Sequence, residues 1–424
     1  MAYLPRILEP RLARMAEHFP VLLLLGARQT GKSTLVGHLF GAEARSFVFD
    51  PVLDLHGARS DPEFFLDQHH PPLILDEIQF APELLSGIKR RVDQNRAPGQ
   101  YILTGSQTLA MLKHMSESLA GRVGVALLEP MTAQELAGRG GERPWLASWL
   151  DAPEALSKAE LAGPRVVPVF RALWRGGYPG LIGMPDDLVP DFFSSYVRTY
   201  VERDVSLLGD VRDQHQFGRF LGLCAALSGQ EINHSELGRE LSLSPQSAGR
   251  WLSLLTATYL WSETSPYSGN AIKRISKRPK GYLVDSGLAS QLQRIGSPAG
   301  LETSPHLGAM FETMVVAEIR RMLAACAPSA GLFHWRTHAG AEVDVVIELD
   351  GELWPIEIKC TAQVTRRHEG GFKALRATYP RVRIRPNLIV AATSRITRVS
   401  EDTFSIPWHL QGDAAAPGPV NHDS

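Results

Sequence analysis

A glycine-rich segment near the amino terminus carries residue types that can bind phosphate groups. Gly26 and Gly31 are separated by four residues, and Lys32 and Ser33 follow directly. Glycine permits backbone conformations that point successive N–H groups at phosphate oxygens, and a helix N-terminus favours anions. Lys32 can then reach the β/γ-phosphates, and the Ser33 hydroxyl can contact Mg²⁺. The pattern predicts an ATP-binding loop with these residues: Gly26, Ala27, Arg28, Gln29, Thr30, Gly31, Lys32, Ser33 and Thr34.

Two carboxylates follow the apolar run Leu73–Leu75, where a second strand beside this loop would end. Asp76 can hold the Mg²⁺ shell opposite Ser33, and Glu77 can polarise a water molecule for attack on the γ-phosphate. An apolar strand that ends in Asp-Glu is common by itself. One βαβ unit after a phosphate-binding loop, it predicts the catalytic carboxylate of an ATPase.

Small polar residues and an arginine come next along the chain. Thr104 and Ser106 end another apolar run, and either could contact the γ-phosphate or orient the attacking water. Arg122 could act as an arginine finger on the nucleotide of a neighbouring subunit. A surface salt bridge would use the same residue, so both interpretations of Arg122 stay open.

A second group of candidate residues lies in the last third of the chain. Asp344 lies on a predicted strand, and Glu357 and Lys359 share one face of the next strand because side chains alternate. Glu312, on a helix that starts near Leu307, could join them. Such a group could bind a divalent metal and position a hydroxide against a phosphodiester. A cross-strand salt-bridge surface is the alternative.

A candidate DNA-binding module precedes this region. Residues 232–237 begin a helix, and Pro245 suits the first turn of a second helix that would expose Arg250. The hairpin that follows has no acidic residue between Glu263 and Asp285. Its basic residues could bind DNA phosphates, although a protein-packing module with an acidic partner fits them too. They are Lys273, Arg274, Lys277, Arg278 and Lys280.

Alternating apolar runs and helical stretches in residues 1–130 predict a parallel sheet covered on both faces. The predicted strands are Val21–Leu25, Ser46–Phe49, Leu73–Leu75, Tyr101–Thr104 and Val123–Leu128. The predicted helices are Pro10–His18, Lys32–Leu39, Glu83–Gln94 and Leu109–Glu117. Residues 131–165 show no clean periodicity and predict an insertion or a loose connection.

Length and composition limit the classes of protein to consider. The 424 residues suggest about three domains, and a formal net charge of −1 leaves DNA contact to a local basic patch. The three cysteines show no metal-ligand spacing and suit a reducing cytoplasm. The short run Val21–Leu25 is neither a signal sequence nor a membrane span.

Taken together, these motifs resemble the prokaryotic AAA+ ATPases of the AAA_14 type that are followed by a DUF4143 region. The resemblance implies an AAA+ core, a small helical lid and homo-oligomers such as a hexameric ring. It also includes a pattern over 266–288 that is typical of DUF4143, and Asp344, Glu357 and Lys359 resemble the core of PD-(D/E)xK nucleases. The motifs that carry the resemblance further along are Gly176-Gly177-Tyr178-Pro179 and Tyr200-Val201-Glu202-Arg203-Asp204-Val205.

The expected fold is therefore an α/β multidomain protein. It combines an AAA+ P-loop NTPase core with a helical lid, a winged helix-turn-helix and a C-terminal restriction-endonuclease-like α/β domain. The expected bounds are 1–164 for the core, 165–217 for the lid, 218–296 for the winged helix, 297–412 for the nuclease-like domain and 413–424 for a disordered tail. The expected activity is ATP hydrolysis coupled to remodelling or translocation on DNA. The alternatives are an ATP-regulated nuclease and a STAND-like nucleotide switch that binds a protein partner.

Overall fold

The computed structural model describes residues 3–54, 56–106, 119–158, 168–200, 213–270 and 278–410. Its amino-terminal part is built on a parallel sheet with the strand order β2-β3-β4-β1-β5. These strands are β1 Val21–Leu25, β2 Arg45–Val48, β3 Leu73–Asp76, β4 Tyr101–Gly105 and β5 Val123–Leu127. The helices around them are α1 Glu9–Ala16, α2 Lys32–Phe40, α3 Pro62–Gln68 and α4 Leu84–Gln94.

This sheet agrees with the sequence-based prediction to within one residue at each strand end. The reason is that β1, β3 and β4 are buried along their whole length, so each appears in the sequence as a continuous apolar run. Leu12 of α1 and Leu35 of α2 pack on the same face of the sheet. The predicted helix over 109–117 lies outside the described residues.

The prediction of a loose connection after the sheet is wrong for its described part. Residues 131–158 contain two helices, α5 Ala133–Leu136 and α6 Trp145–Asp151. Trp145 and Trp149 are buried, and the Trp149 ring meets Trp354 edge to face with centroids 5.1 Å apart. The apolar residues of this stretch contact several distant elements at once, and this obscures any simple periodicity.

The middle of the chain is mainly helical. Its helices are α7 Val169–Arg175, α8 Val189–Tyr200, α9 Gln214–Ala226, α10 His234–Glu240, α11 Pro245–Ala257, α12 Ser286–Leu292 and α13 Pro298–Glu302. Its strands are β6 Gln230–Glu231, β7 Trp261–Pro266 and β8 Lys280–Leu283. Asn233 caps α10, and Ser244 caps α11 by accepting from the backbone N–H of Ser247. The two predicted helices of the helix-turn-helix are therefore present, and the winged-helix assignment stays a prediction.

The last part of the chain places one long helix against a mixed sheet. The helices are α14 Leu307–Cys326 and α15 Gly370–Thr378. The strands are β9 Gly331–Arg336, β10 Glu342–Leu349, β11 Glu352–Lys359, β12 Asn387–Ala391, β13 Thr397–Ser400 and β14 Thr403–Pro407. Their order, β13-β14-β12-β11-β10-β9-β7-β8-β6, includes strands of the middle region. One sheet therefore crosses the predicted boundary at residue 297.

Strand β7 makes this connection by pairing in parallel with β9 and antiparallel with β8. The turn between β10 and β11 has positive φ at Asp350 (51°) and Gly351 (78°), as the Asp-Gly pair predicts. No helix in the described part of the chain is long and apolar enough to cross a membrane.

Candidate nucleotide site and C-terminal cluster

The glycine-rich loop joins strand β1 to helix α2 at the carboxyl edge of the parallel sheet. Gly26 has a φ of 154°, and a Cβ there would lie 2.1 Å from the carbonyl oxygen of Leu128. Gly31 has a φ of 92° and is the N-cap of α2. A side chain at Gly26 would clash with backbone, and the conformation at Gly31 favours glycine. The spacing of the two glycines is therefore required by the geometry of the loop.

Lys32 is buried, with 5% of its surface exposed, and its ammonium group lies over the loop. Its Nζ donates to the carbonyl oxygens of Gly26 at 3.0 Å and Ala27 at 2.9 Å. The Thr30 hydroxyl also donates to the Ala27 carbonyl, at 3.0 Å. Ala27 and Thr30 thus hold the loop from inside, and the Lys32 ammonium lies beside the N-terminus of α2, where an anion is favoured.

The remaining loop residues face outward. Gln29, Ser33 and Thr34 are exposed, and Arg28 is half-buried. Ser33 and Thr34 lie in the first turn of α2, and both residues are exposed to solvent. This arrangement fits a bound phosphate chain, with Ser33 placed as a hydroxyl ligand for Mg²⁺.

Arg6 holds the loop in place through buried contacts. The sequence patterns did not predict this role. Its guanidinium donates to the carbonyl oxygens of Thr30 at 2.9 Å and Glu129 at 2.7 Å. The same group pairs with the Glu135 carboxylate at 3.0 Å, and only 5% of Arg6 is exposed. A charged residue in an amino-terminal segment usually points to solvent. The one available signal was its place among the apolar residues Leu4 to Leu8 before the first helix.

Asp76 ends strand β3 and is 5% exposed. The Thr104 hydroxyl on β4 donates to Asp76 Oδ1 and accepts from the backbone N–H of Glu77 at 3.1 Å. Thr104 therefore fixes the end of β3, and its contact with the γ-phosphate stays a prediction. The other carboxylate oxygen of Asp76 is the candidate Mg²⁺ ligand.

Glu77 has a φ of 56°, a conformation that residues other than glycine seldom adopt. Its Oε2 accepts from the Ser106 hydroxyl at 3.2 Å and from the Gln79 side-chain amide. Gln79 also donates to the Ser106 oxygen at 3.1 Å. Strain of this kind persists where the surroundings fix the residue, and it clusters at active sites. The predicted catalytic residues Glu77 and Ser106 are therefore in contact. Gln79, which was not among the predicted site residues, contacts both of them.

Arg122 lies at the start of β5, at the opposite edge of the sheet from the loop. Its carbonyl oxygen accepts from the backbone N–H of Val21, the first residue of β1. The length of β1, about 16 Å at 3.3 Å per residue, separates it from the loop. The Arg122 guanidinium pairs with Asp93 at 2.5 Å and lowers the pKa of that carboxyl. Arg122 does not reach the loop of its own chain, and a role in a neighbouring subunit stays a prediction.

A second group of charged residues, called the C-terminal cluster below, brings together Glu312, Asp344, Glu357, Lys359 and Lys280. Lys359 Nζ lies 2.7 Å from Glu357 Oε1 and 3.5 Å from Asp344 Oδ2. Lys280 Nζ lies 2.9 Å from Glu312 Oε1 and 3.9 Å from Asp344 Oδ1. The four predicted residues therefore do meet. Lys280, a predicted DNA contact, joins them.

Burial controls the protonation of this cluster. It raises the pKa of Glu312 and of Glu357, and the neighbouring Asp344 carboxylate raises both further. Burial also lowers the pKa of Lys280 and of Lys359, but the adjacent carboxylates outweigh this effect and the net shift of both lysines is upward. Both lysines are therefore cationic at neutral pH.

The arrangement does not fit a metal ion. Among the residues that the structure describes, no three histidine, cysteine, aspartate or glutamate side chains are placed to hold one. The predicted metal ligands Asp344 and Glu357, with Glu312 beside them, instead face the ammonium groups of Lys280 and Lys359. The metal site was predicted from carboxylates on neighbouring strands. Lys280 belongs to a distant part of the chain, and its presence among these carboxylates could not be predicted from their spacing.

The candidate DNA-binding residues fall into three groups. Arg250 is exposed on α11, and Arg278 is exposed and lies 3.8 Å from Glu236. Lys280 is only 7% exposed, so its predicted DNA contact is wrong: its ammonium group is held by carboxylates inside the protein. The other predicted contacts lie outside the described residues; they are Lys273, Arg274 and Lys277.

Family models match three successive regions of the chain. Residues 18–137 match an AAA domain, residues 169–299 match the domain of unknown function DUF8612, and residues 307–410 match the domain of unknown function DUF4143. The pattern over 266–288 therefore falls in the DUF8612 match, which corrects its expected placement in DUF4143.

Two solved structures are similar in part. The Walker-type ATPase PABY2304 of Pyrococcus abyssi is 16% identical, with a TM-score of 0.42 over 67% of this chain and 94% of its own. The RuvB Holliday junction branch migration motor of Thermotoga maritima is 17% identical, with a TM-score of 0.27 over 64% of this chain and 92% of its own.

Closer similarity is found in sequence. The uncharacterized proteins Rv2008c of Mycobacterium tuberculosis and Mb2031c of Mycobacterium bovis are each 31% identical over 353 residues, which is 83% of this chain and 73% of theirs. The AAA match coincides with the parallel sheet and its glycine-rich loop. The chain therefore belongs to the same family as these mycobacterial proteins, as an AAA-type P-loop ATPase with a DUF4143 region.

Proposed function

We propose that the chain hydrolyses ATP with Mg²⁺ and couples this reaction to remodelling of, or translocation on, DNA. The observation that carries the catalytic part is the position of Glu77. Its carboxylate lies at the carboxyl edge of the sheet, on the same edge as the loop, and Ser106 and Gln79 hold it there. A carboxylate in this place can accept a proton from a water molecule that attacks the γ-phosphate.

The other residues of the site bind and orient. The loop N–H groups and Lys32 bind the phosphates, and Asp76 with Ser33 would hold Mg²⁺. The metal would neutralise charge on the phosphates. Thr104 fixes the Asp76 carboxylate, and Arg6 keeps the loop in place through the Thr30 carbonyl.

The test is ATP turnover by Glu77→Gln. Glutamine keeps the shape and can still contact Ser106, but it cannot accept the proton. We expect kcat to fall about 10²- to 10⁴-fold while ATP binding persists. Glu83→Gln, at an exposed position before α4, is the matched control and should turn over ATP as the wild type does. Turnover by Glu77→Gln at the wild-type rate would refute the assignment of the base.

Lys32→Ala tests the binding half of the proposal. The Lys32 ammonium is the charged group that lies against the loop carbonyls, so its removal should abolish tight ATP binding. Equilibrium binding of a fluorescent ATP analogue measures this directly. An unchanged affinity would contradict the proposed role of the loop.

The DNA part of the proposal depends on the surface of α11 and the hairpin after β7. Arg250 and Arg278 are exposed there, and Ser244 with Pro245 starts α11 as the second helix of a helix-turn-helix would start. The near-neutral net charge of the chain gives no general attraction to DNA, so a local patch must supply it.

Replacing Arg250, Arg278 and the three basic hairpin residues 273, 274 and 277 with serine tests this patch. Each lost phosphate contact should reduce the slope of log affinity against log salt by about 0.9 on duplex DNA. Arg367→Ser, at an exposed arginine of the DUF4143 region, is the control and should leave the slope unchanged. Equal slopes for both variants would favour a nucleotide switch that binds a protein partner.

The proposed assembly is a homo-oligomer, such as a hexameric ring, in which Arg122 acts on the nucleotide of a neighbour. Arg122→Ala should then lose hydrolysis but keep ATP affinity. Mixing it with Lys32→Ala subunits should restore part of the activity at hybrid interfaces, because each variant supplies what the other lacks. A wild-type protein that hydrolyses ATP normally as a monomer would rule this out.

A further inference from the structure

A cavity of about 820 Å³ lies where the three regions matched by family models meet. The AAA region contributes Met131 and Leu136 to its lining. The DUF8612 region contributes Ala172 and Met184, and the DUF4143 region contributes Trp408. Binding sites for small organic molecules usually have volumes of roughly 300 to 1,000 Å³ and often lie between domains. The cavity therefore has the size and the position of a small-molecule site.

Helix α14 contributes one of its faces to this cavity. Its lining residues follow the spacing i, i+3, i+4 and i+7, which places side chains on the same face of a helix. Met314 and Ala317 are apolar, whereas Glu318 and Arg321 are charged residues whose side chains are buried. Methionine side chains are flexible and polarisable, so Met314 and the two methionines named above can adapt to the shape of an apolar ligand.

Three polar side chains of the lining each have a buried atom without a hydrogen-bond partner in the part of the chain that the structure describes. These atoms are Glu318 Oε2, Arg321 Nε and His409 Nδ1. Glu318 Oε1 accepts from the backbone N–H of Ala133 at 3.0 Å, and Arg321 Nη1 donates to the carbonyl oxygen of Met131 at 3.0 Å. An unpaired buried polar atom is costly, so a ligand group that reaches one of them through a small side-chain rotation is favoured.

The charges around the cavity nearly cancel. Arg171 and Arg175 share the Asp186 carboxylate, and Arg321 lies 3.6 Å from Glu318. Burial raises the pKa of Glu318 to about 7, so this carboxyl is partly protonated at neutral pH. A charged ligand buried without an unpaired partner of opposite charge is penalised, and an uncharged ligand fits this balance. The described lining and its ion-pair partners contain four arginines and four acids: Arg139, Arg171, Arg175, Arg321, Glu142, Asp186, Asp285 and Glu318.

We propose that the cavity binds an uncharged, mainly apolar small molecule that carries one hydrogen-bonding group, such as a carbonyl. Its apolar body lies against the methionines and Trp408, and its polar group lies beside Glu318 and Arg321 on α14. A molecule in this place contacts all three matched regions at once. This binding goes beyond the proposed reaction with ATP and does not depend on it.

The experiment measures binding of prodan, an uncharged aromatic ketone whose fluorescence shifts to shorter wavelength in an apolar site, to the full-length, nucleotide-free protein. Wild type should bind it at one saturable site per chain. Leu136→Asp places a charge at the rim, where Leu136 is 41% exposed, and should weaken binding at least about tenfold. Leu188→Asp is the matched control: Leu188 is 46% exposed, is not among the described lining residues and should tolerate the change.

Two further measurements test the place and the class of the ligand. Ala172→Trp fills part of the cavity and should also weaken prodan binding at least about tenfold, whereas Ala377→Trp, at an exposed alanine on α15, should not. The apolar anion anilinonaphthalene sulfonate should bind at this site at least about tenfold more weakly than prodan.

Three results would overturn the proposal. A wild-type protein without a saturable prodan site would show that the cavity holds only water. Undiminished affinity in folded Leu136→Asp or in folded Ala172→Trp would show that prodan binds elsewhere, and the exposed position of Leu136 makes its replacement compatible with folding. Tighter binding of the anion than of prodan would rule out an uncharged ligand. Each result is independent of ATP hydrolysis.

Discussion

Glu318 lies at the contact between the AAA core and helix α14, and its replacement by glutamine should change how stability depends on pH. Only 6% of the residue is exposed. Its Oε1 accepts from the backbone N–H of Ala133 at 3.0 Å and lies 3.6 Å from the Arg321 guanidinium, while its Oε2 has no hydrogen-bond partner. Burial raises the pKa of Glu318 from 4.5 to about 7, against the opposing effect of Arg321.

Because the pKa of Glu318 is raised in the folded protein, this group favours folding less as the pH rises. The folded protein keeps a proton on Glu318 that the unfolded chain releases above pH 4.5. The contribution of Glu318 to the free energy of unfolding is therefore complete below pH 4.5. It is lost as the pH rises through 7. A shift of this size corresponds to about 3 kcal/mol at 1.36 kcal/mol per pKa unit. Glu318→Gln is neutral at every pH and keeps the acceptor for Ala133. The free energy of unfolding of Glu318→Gln minus that of wild type should therefore rise by about 3 kcal/mol as the pH is raised from 4.5 to 8.

The assay is urea unfolding of wild type and Glu318→Gln at several pH values in this range, followed by tryptophan fluorescence. Glu302→Gln, at an exposed glutamate on α13, is the control and should show a constant difference from wild type. A constant difference for Glu318→Gln as well would refute the reasoning. It would mean that Glu318 is charged in the folded protein throughout, and that Arg321 compensates for its burial.

Two more predictions concern other buried contacts. Gly176→Ala should destabilise the protein by more than about 1 kcal/mol, because Gly176 has a φ of 69° and a Cβ there would lie 2.2 Å from the Asp285 carboxylate. Gly218→Ala, at a helical glycine with nothing within 4 Å, is the comparison and should be neutral or stabilising by up to about 1 kcal/mol in thermal unfolding. Arg320→Ala should cost about 3 kcal/mol in urea unfolding, since it leaves the buried Glu129 carboxylate, 2.7 Å from Arg320, without its partner. A cost below about 1 kcal/mol would show that water replaces the arginine.

The amino-terminal sheet could be predicted because each of its strands is recognisable from its own short segment of sequence. Strands buried on both faces are continuous apolar runs, and Gly26 and Gly31 are required by backbone conformations that the motif itself encodes. The meeting of Glu77 and Ser106 followed from the rule that the carboxyl ends of parallel strands share an edge.

The errors share a different cause. Lys280 belongs to a run of basic residues, and charge in a run predicts a solvated surface unless burial is known. Arg6 and Gln79 act through partners 24 and 27 residues away, Thr30 and Ser106, and no spacing within their own segments reveals these. The helices α5 and α6 are fixed by contacts with α14 and β11, which follow nearly 200 residues later in the chain. Contacts between residues so far apart in the chain do not produce a periodic pattern in the sequence.

A series of contacts also connects the AAA core with the DUF4143 region. Helix α14 carries Glu312 in the C-terminal cluster and, two turns later, Arg320, which binds Glu129; eight residues separate them by about 12 Å along the helix. Glu129 in turn accepts from Arg6, the residue that holds the phosphate-binding loop through Thr30. Arg6 binds the backbone carbonyl of Glu129 and Arg320 binds its carboxylate, so Glu129 connects the residue that holds the loop to helix α14. Contiguity alone does not create coupling. The Glu129 carboxylate is buried and Arg320 is half-buried, so separating this pair should be costly, and we expect the AAA core and α14 to stay joined at Glu129.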